Sequence, residues 1–221
     1  MKNQKIGGVV GIIEAILYVI GIAFLFLFLS PAMDETKSGI DKLSFILENK
    51  TLFQIWHLLI YVIFGLLLLP LAIAINENFK TQSLIGTKVT PILGFIWSGL
   101  VIASGMVNNI GLETVNKLFL EDQAGALMAW KIISSIQNGL GGGVEIVGGL
   151  WVLLISVYGL REQVFPKPLN YLGLIVGGAG ILTMIPGLKD LGLIFGMTQI
   201  IWFAWIGMYM LKNQKQVVTI V

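Results

Sequence analysis

Two glutamates and a histidine stand inside long apolar runs. Glu14 closes Gly7-Gly-Val-Val-Gly-Ile-Ile-Glu14, His57 follows Trp56, and Glu145 lies within Gly139-Leu-Gly-Gly-Gly-Val-Glu-Ile-Val-Gly-Gly-Leu-Trp151. Asn108 and Asn109 place two adjacent amides in a third run. An ionisable side chain in such surroundings is expensive and faces the protein interior or water, so a functional role is its default reading. A carboxylate there can hold a proton or a polar solute, and Glu145 beside His57 would form an acid–base pair. The two asparagines can hydrogen-bond between helices or to a ligand. No HExxH, GxSxG or paired-aspartate pattern accompanies these residues. With one histidine and no cysteine, the chain has no means to build a disulfide, a thiolate or iron–sulfur site, a zinc ribbon or a bis-histidine haem. No cofactor or metal is expected.

The elements that must position these residues are membrane helices. Of 221 residues, 56% are hydrophobic and 12% charged, and the mean hydropathy is +0.89, far more apolar than a soluble domain of this size. The net charge of +2 and the absence of a basic stripe argue against a nucleic-acid partner. Six apolar stretches, Ile6–Ser30, Leu52–Ile75, Val89–Leu112, Leu140–Leu160, Leu169–Ile185 and Leu191–Leu211, each approach the ~20 residues needed to cross hydrocarbon. Within lipid they must be helical, because backbone groups find no partner there otherwise. The fold expected is therefore all-α, a single six-span bundle over 1–221. The first stretch is too long for the apolar part of a cleaved signal and has no A-x-A site, so it reads as a retained anchor.

Charge gives an orientation. With the N-terminus cytoplasmic, that side carries Lys2, Lys5, Lys80, Lys88, Arg161, Lys167, Lys212 and Lys215 against Glu77 and Glu162, whereas the other side has six lysines against eight acids. This is the positive-inside pattern of a plasma-membrane protein with both termini cytoplasmic. Between spans one and two, Ile40, Leu43, Ile46 and Leu47 recur at helical spacing and suggest a short helix on the outer surface.

From Ala124 to Leu160 there are 37 residues without proline. As one helix they would run about 55 Å, against a hydrocarbon core of ~30 Å. The glycines at 139, 141, 142 and 143 mark the expected break, with an amphipathic outer helix over Trp130–Ile136 before it and a new helix from about Val144. Such a start would bring unpaired N–H groups and a positive helix end close to Glu145. Packing signatures recur elsewhere: Gly7/Gly11, Gly173/Gly177 and Gly192/Gly196 are GxxxG pairs, Gly99/Ala103 is a related small pair, and Pro70 should kink span two by freeing the Leu66 carbonyl. In this topology His57, Asn108, Asn109 and Glu145 share the outer half of the bundle and would form a polar pocket, with Glu14 on the cytoplasmic side of the midplane. All five are candidate ligand-binding residues. The sharpest expectation is a contact from Glu145 to His57 or Asn109.

The runs Trp97-Ser-Gly-Leu-Val-Ile-Ala-Ser-Gly-Met106, Gly139 through Ser156, and Leu191-Gly-Leu-Ile-Phe-Gly-Met-Thr-Gln-Ile-Ile-Trp-Phe-Ala-Trp-Ile-Gly207 resemble a bacterial family of six-span membrane proteins catalogued as a domain of unknown function. The resemblance runs from about Trp56 onward and implies the helical fold but no activity, substrate or cofactor. In that family an asparagine often precedes the glutamate, where this chain has Val144. The function expected is a transporter or permease for a small polar or proton-coupled solute, embedded in the lipid bilayer. The alternatives are an accessory or sensory protein that binds lipid or protein, and an intramembrane enzyme using His57 and Glu145.

Overall fold

A computed structural model of the chain describes residues 2–79 and 88–213, and Lys80 and Lys215 of the charge argument lie outside them. The described residues are helical and contain no strand. In order they form α1 (Lys2–Phe28), the short α2 (Ser30–Met33), α3 (Gly39–Glu48), α4 (Lys50–His57), α5 (Phe64–Asn76), α6 (Thr90–Phe119), α7 (Gln123–Gln137), α8 (Ile146–Glu162), α9 (Lys167–Leu182) and α10 (Leu191–Lys212). A π-helical stretch, Leu58–Ile63, joins α4 to α5, and a second, Asn138–Gly142, follows α7.

Among the described residues, five segments are long and apolar enough to cross a membrane: Asn3–Phe28, Lys50–Asn76, Thr90–Phe119, Gln123–Glu162 and Leu191–Lys212. The sixth expected span falls on α9, whose 16 residues give about 24 Å of helix, less than the hydrocarbon thickness. The apolar run of the sequence continues through Ile185, but the helix ends at Leu182 and Pro186 opens a 3-10 turn.

The six long elements close into a ring in which α1 touches α5, α5 touches α6, α6 touches α8, α8 touches α9, α9 touches α10, and α10 returns to α1. Aromatic rings fill the middle. Phe64, Trp97, Trp151, Phe195, Trp202 and Phe203 are all buried. Their neighbouring rings sit at 5.6–6.5 Å, Phe64 edge-on to Trp97 and Trp97 stacked on Phe203, at separations where aromatic pairs add to simple burial.

Small residues set the closest approaches. Gly8 and Gly11 meet Gly207 of α10, and Gly149 meets Gly177 and Gly180 of α9. Gly192 and Gly196 have only distant neighbours and Gly99 has none within 4 Å, so these members of the expected motifs do not mediate tight helix contacts. Span two carries a π stretch before Phe64, and Pro70 lies inside the α5 helix that follows.

The α7 helix contains the expected Trp130–Ile136 stretch and packs on a neighbouring helix. It runs back antiparallel along α6: Ala126 packs with Val115, Ile133 lies over Gly111, and the Ser104 hydroxyl donates to the Gln137 carbonyl at 3.0 Å. Its other face exposes Met128, Ile132 and Ile136. The α3 helix forms where Leu43 and Ile46 recur, and both are buried. Its Ser38 accepts from the Asp41 N–H as an N-cap.

Candidate functional site

The break after α7 forms the site. Gly141 has φ of +110°, a conformation rarely open to residues with a Cβ, and the chain leaves the helix there before restarting at Ile146. The expected interruption near Gly139–Gly143 is thus found, and Glu145 becomes the N-cap residue of α8. No side chain caps this first turn. The Glu145 N–H instead donates to the Thr183 hydroxyl at 2.8 Å, and that hydroxyl donates to the Gly180 carbonyl at 2.6 Å. Thr183 is fully buried, so the end of α9 fixes the start of α8. The Glu145 carboxylate hydrogen-bonds to none of the described residues.

That carboxylate borders two spaces. One is a partly open cavity of about 200 Å³ lined from α1 by Leu17, Tyr18, Gly21, Ile22 and Leu25, from span two by Trp56, Ile60, Tyr61 and Phe64, from α6 by Trp97 and Val101, and by Gly141 and Glu145. Both irregular stretches contribute, Ile60 and Tyr61 from one π segment and Gly141 from the other. Such local π geometry often accompanies functional sites. The second space is a more open cleft lined by Gly142, Gly143, Glu145, Lys189, Asp190, Gly192 and Leu193. Lys189 does not form an ion pair with Glu145, so the carboxylate stands unpaired between the two.

The cavity's polar groups are few. Among the described residues Glu145 is the only charged side chain in its lining. The Tyr61 hydroxyl accepts from Gln137 Nε2 at 2.9 Å and lies 3.5 Å from the Gly142 carbonyl. Trp56 Nε1 donates to the Gly21 carbonyl at 3.0 Å, which ties span two to α1 across one wall. Tyr18 lies within electrostatic reach of Glu145, Glu14 and Tyr61, and its hydroxyl has no hydrogen-bond partner among the described residues.

The other sequence candidates are distributed differently from the expected pocket. His57 is 4% exposed; its Nδ1–H donates to the Phe53 carbonyl at 2.7 Å and its ring stacks on Tyr61 at 5.6 Å. It therefore buttresses a wall residue and does not line the cavity. Asn109 joins α4 to α6, donating to the Gln54 carbonyl at 3.1 Å, beside a cluster in which Gln54 and Lys50 both donate to Glu113 at 2.8 Å. The expected contact of Glu145 with His57 or Asn109 is not made: α7 and the Asn138–Gly142 turn bring Glu145 down to the level of Tyr18, Tyr61 and Val101 instead. Asn108 is buried with its Oδ1 unpartnered. Glu14 is fully buried on α1, both oxygens without hydrogen bonds, and reaches the cavity only through the field at Tyr18.

Tyr18, Tyr61, Gln137 and Thr183 escaped the sequence reading. Tyrosines are usual in apolar spans and a single threonine in an apolar run gives no signal; only the proximity of Gln137 to the glycine cluster pointed to the site. Compared with models of known families, with curated proteins and with solved structures, the chain matches none of them.

Proposed function

We propose that this is a multi-pass membrane protein that carries a small solute, with Glu145 as the group that binds it. The observation that carries the reading is the unpaired carboxylate bordering both a partly open cavity and a more open cleft. A carboxylate at such a depth is costly without a proton or a partner. A solute reaching it from the cleft and resting in the cavity would supply that partner. A broken helix at a binding site recurs in secondary transporters, where irregular backbone is tolerated because it borders a cavity.

In this reading α9 completes a six-span bundle as its shortest member, both termini are cytoplasmic, and the cleft with Lys189 and Asp190 faces outward. The helices α3 and α7 lie on the outer side. Solute and proton compete for one carboxylate. The groups facing it are Tyr18 and Tyr61 within the cavity and Lys189 and Asp190 across the cleft, with Glu14 beyond Tyr18.

The test is reconstitution into liposomes holding a pH-sensitive dye, with a panel of amines, amino acids and small carboxylates added outside under an imposed pH gradient. Carriage predicts that at least one solute changes the internal pH in wild-type vesicles and leaves it unchanged with Glu145→Gln. If no solute does so while α3 or α7 retains a bound lipid or protein through purification, the accessory reading replaces this one. The exposed Met128, Ile132 and Ile136 face is the observation in its favour.

A further inference from the structure

The cavity wall is chemically selective. Five of its thirteen lining residues, Tyr18, Trp56, Tyr61, Phe64 and Trp97, are aromatic, most of the rest are aliphatic, and the one carboxyl group among them is that of Glu145. An anionic solute would meet a like charge with no Lys, Arg or His in the wall to receive it. A sugar or other polyhydroxylated solute would lose many hydrogen bonds to water and regain few. An inorganic cation would have to shed its hydration shell for one carboxylate and two phenol oxygens, fewer ligands than such ions take. A weakly hydrated organic cation loses least. Aromatic rings attract such a cation through their quadrupoles, and this attraction grows where water is excluded. The carboxylate neutralises its charge, and the aliphatic wall receives its apolar body.

We propose that the cavity binds a small organic monocation, an alkyl- or arylammonium, with the nitrogen beside Glu145 and the apolar body among the aromatic side chains. This rests on the solute-carrying reading above and assigns its substrate class. At about 200 Å³ the space is below the ~300–1,000 Å³ of drug-sized sites, so the cation is small.

Binding of benzyltrimethylammonium to the purified full-length chain in detergent, followed by tryptophan fluorescence and by calorimetry, tests this, with benzoate and benzyl alcohol as the anionic and neutral probes of similar body. Saturable binding of the cation is expected, with neither control binding saturably. Glu145→Gln should weaken cation binding roughly tenfold or more, as removal of the charged partner of a bound cation does, while keeping the size-exclusion profile. Leu25→Trp, which fills the cavity and leaves Glu145 in place, should abolish it. If benzoate or benzyl alcohol binds in a Leu25→Trp-sensitive manner and the cation does not, the substrate class is wrong and the solute site stands. If no probe binds and the panel of solutes also fails to move protons, both readings fall. Cation binding unchanged by both substitutions would place it elsewhere and overturn the proposal.

Discussion

The start of α8 is held by its contact with α9, and a single methyl group measures how tight that contact is. A Cβ at Gly149 would lie 2.7 Å from the Ile181 nitrogen, 2.8 Å from the Gly177 oxygen and 2.9 Å from the Gly180 carbonyl carbon. All three are backbone atoms, so no side chain can swing aside. The helices would have to separate by roughly 0.7 Å to restore contacts near ~3.5 Å. Overpacking of this kind costs about 1–3 kcal/mol, here at the upper end because the obstruction is backbone. Alanine returns up to ~1 kcal/mol in helix propensity, leaving a net loss of about 2 kcal/mol. At about 2–4 °C per kcal/mol for a chain of this length, Gly149→Ala should melt roughly 4–8 °C lower in detergent. Gly178 of α9 supplies the control, since a Cβ there meets nothing within 4 Å and Gly178→Ala should be neutral or stabilising. Differential scanning fluorimetry on both variants reads the difference. Equal melting temperatures would refute the close α8–α9 contact, and with it the rigid placement of Glu145.

Thr183→Val keeps the shape of the side chain but removes the acceptor for the Glu145 N–H, and should lower stability by about 1–3 kcal/mol for the buried donor left unmade; an unchanged denaturation midpoint would contradict the cap. Single cysteines at Ser38 and Asn116 should react with an impermeant thiol reagent outside intact cells and one at Asn213 should not, and the reverse pattern would invert the proposed orientation. Gly141→Leu should destabilise the fold or shift the break, because φ of +110° suits glycine and strains leucine; a variant with unchanged melting temperature and unchanged solute response would show that this turn is not needed.

The helical bundle was legible in the sequence because apolar runs of membrane length constrain the backbone to helix. The break was legible because 37 proline-free residues overrun the bilayer and the glycines between 139 and 143 say where they yield. The cavity was not. Its walls depend on which face each helix turns inward, and Tyr18, Phe64 and Trp97 are indistinguishable in sequence from residues facing lipid. The π stretch at Leu58–Ile63 carries neither glycine nor proline, yet it turns Ile60 and Tyr61 toward Glu145. His57 was drawn into the site by its chemistry, whereas a bond to Phe53 one turn back satisfies one ring nitrogen locally. Hydropathy also carried the Leu169–Ile185 stretch past the end of its helix, because it does not register that the chain leaves the helix after Leu182, where the Thr183 side chain turns to bond the Gly180 carbonyl and receive the Glu145 N–H.

Glu145 is an unpaired carboxyl group that borders both the cleft and the cavity. Site-resolved mass spectrometry after treatment with a hydrophobic carbodiimide tests it directly. Glu145 should be modified, benzyltrimethylammonium should protect it, and Glu14, which is 0% exposed, should stay unmodified under the same conditions. Modification of Glu14 with Glu145 left untouched would contradict the account.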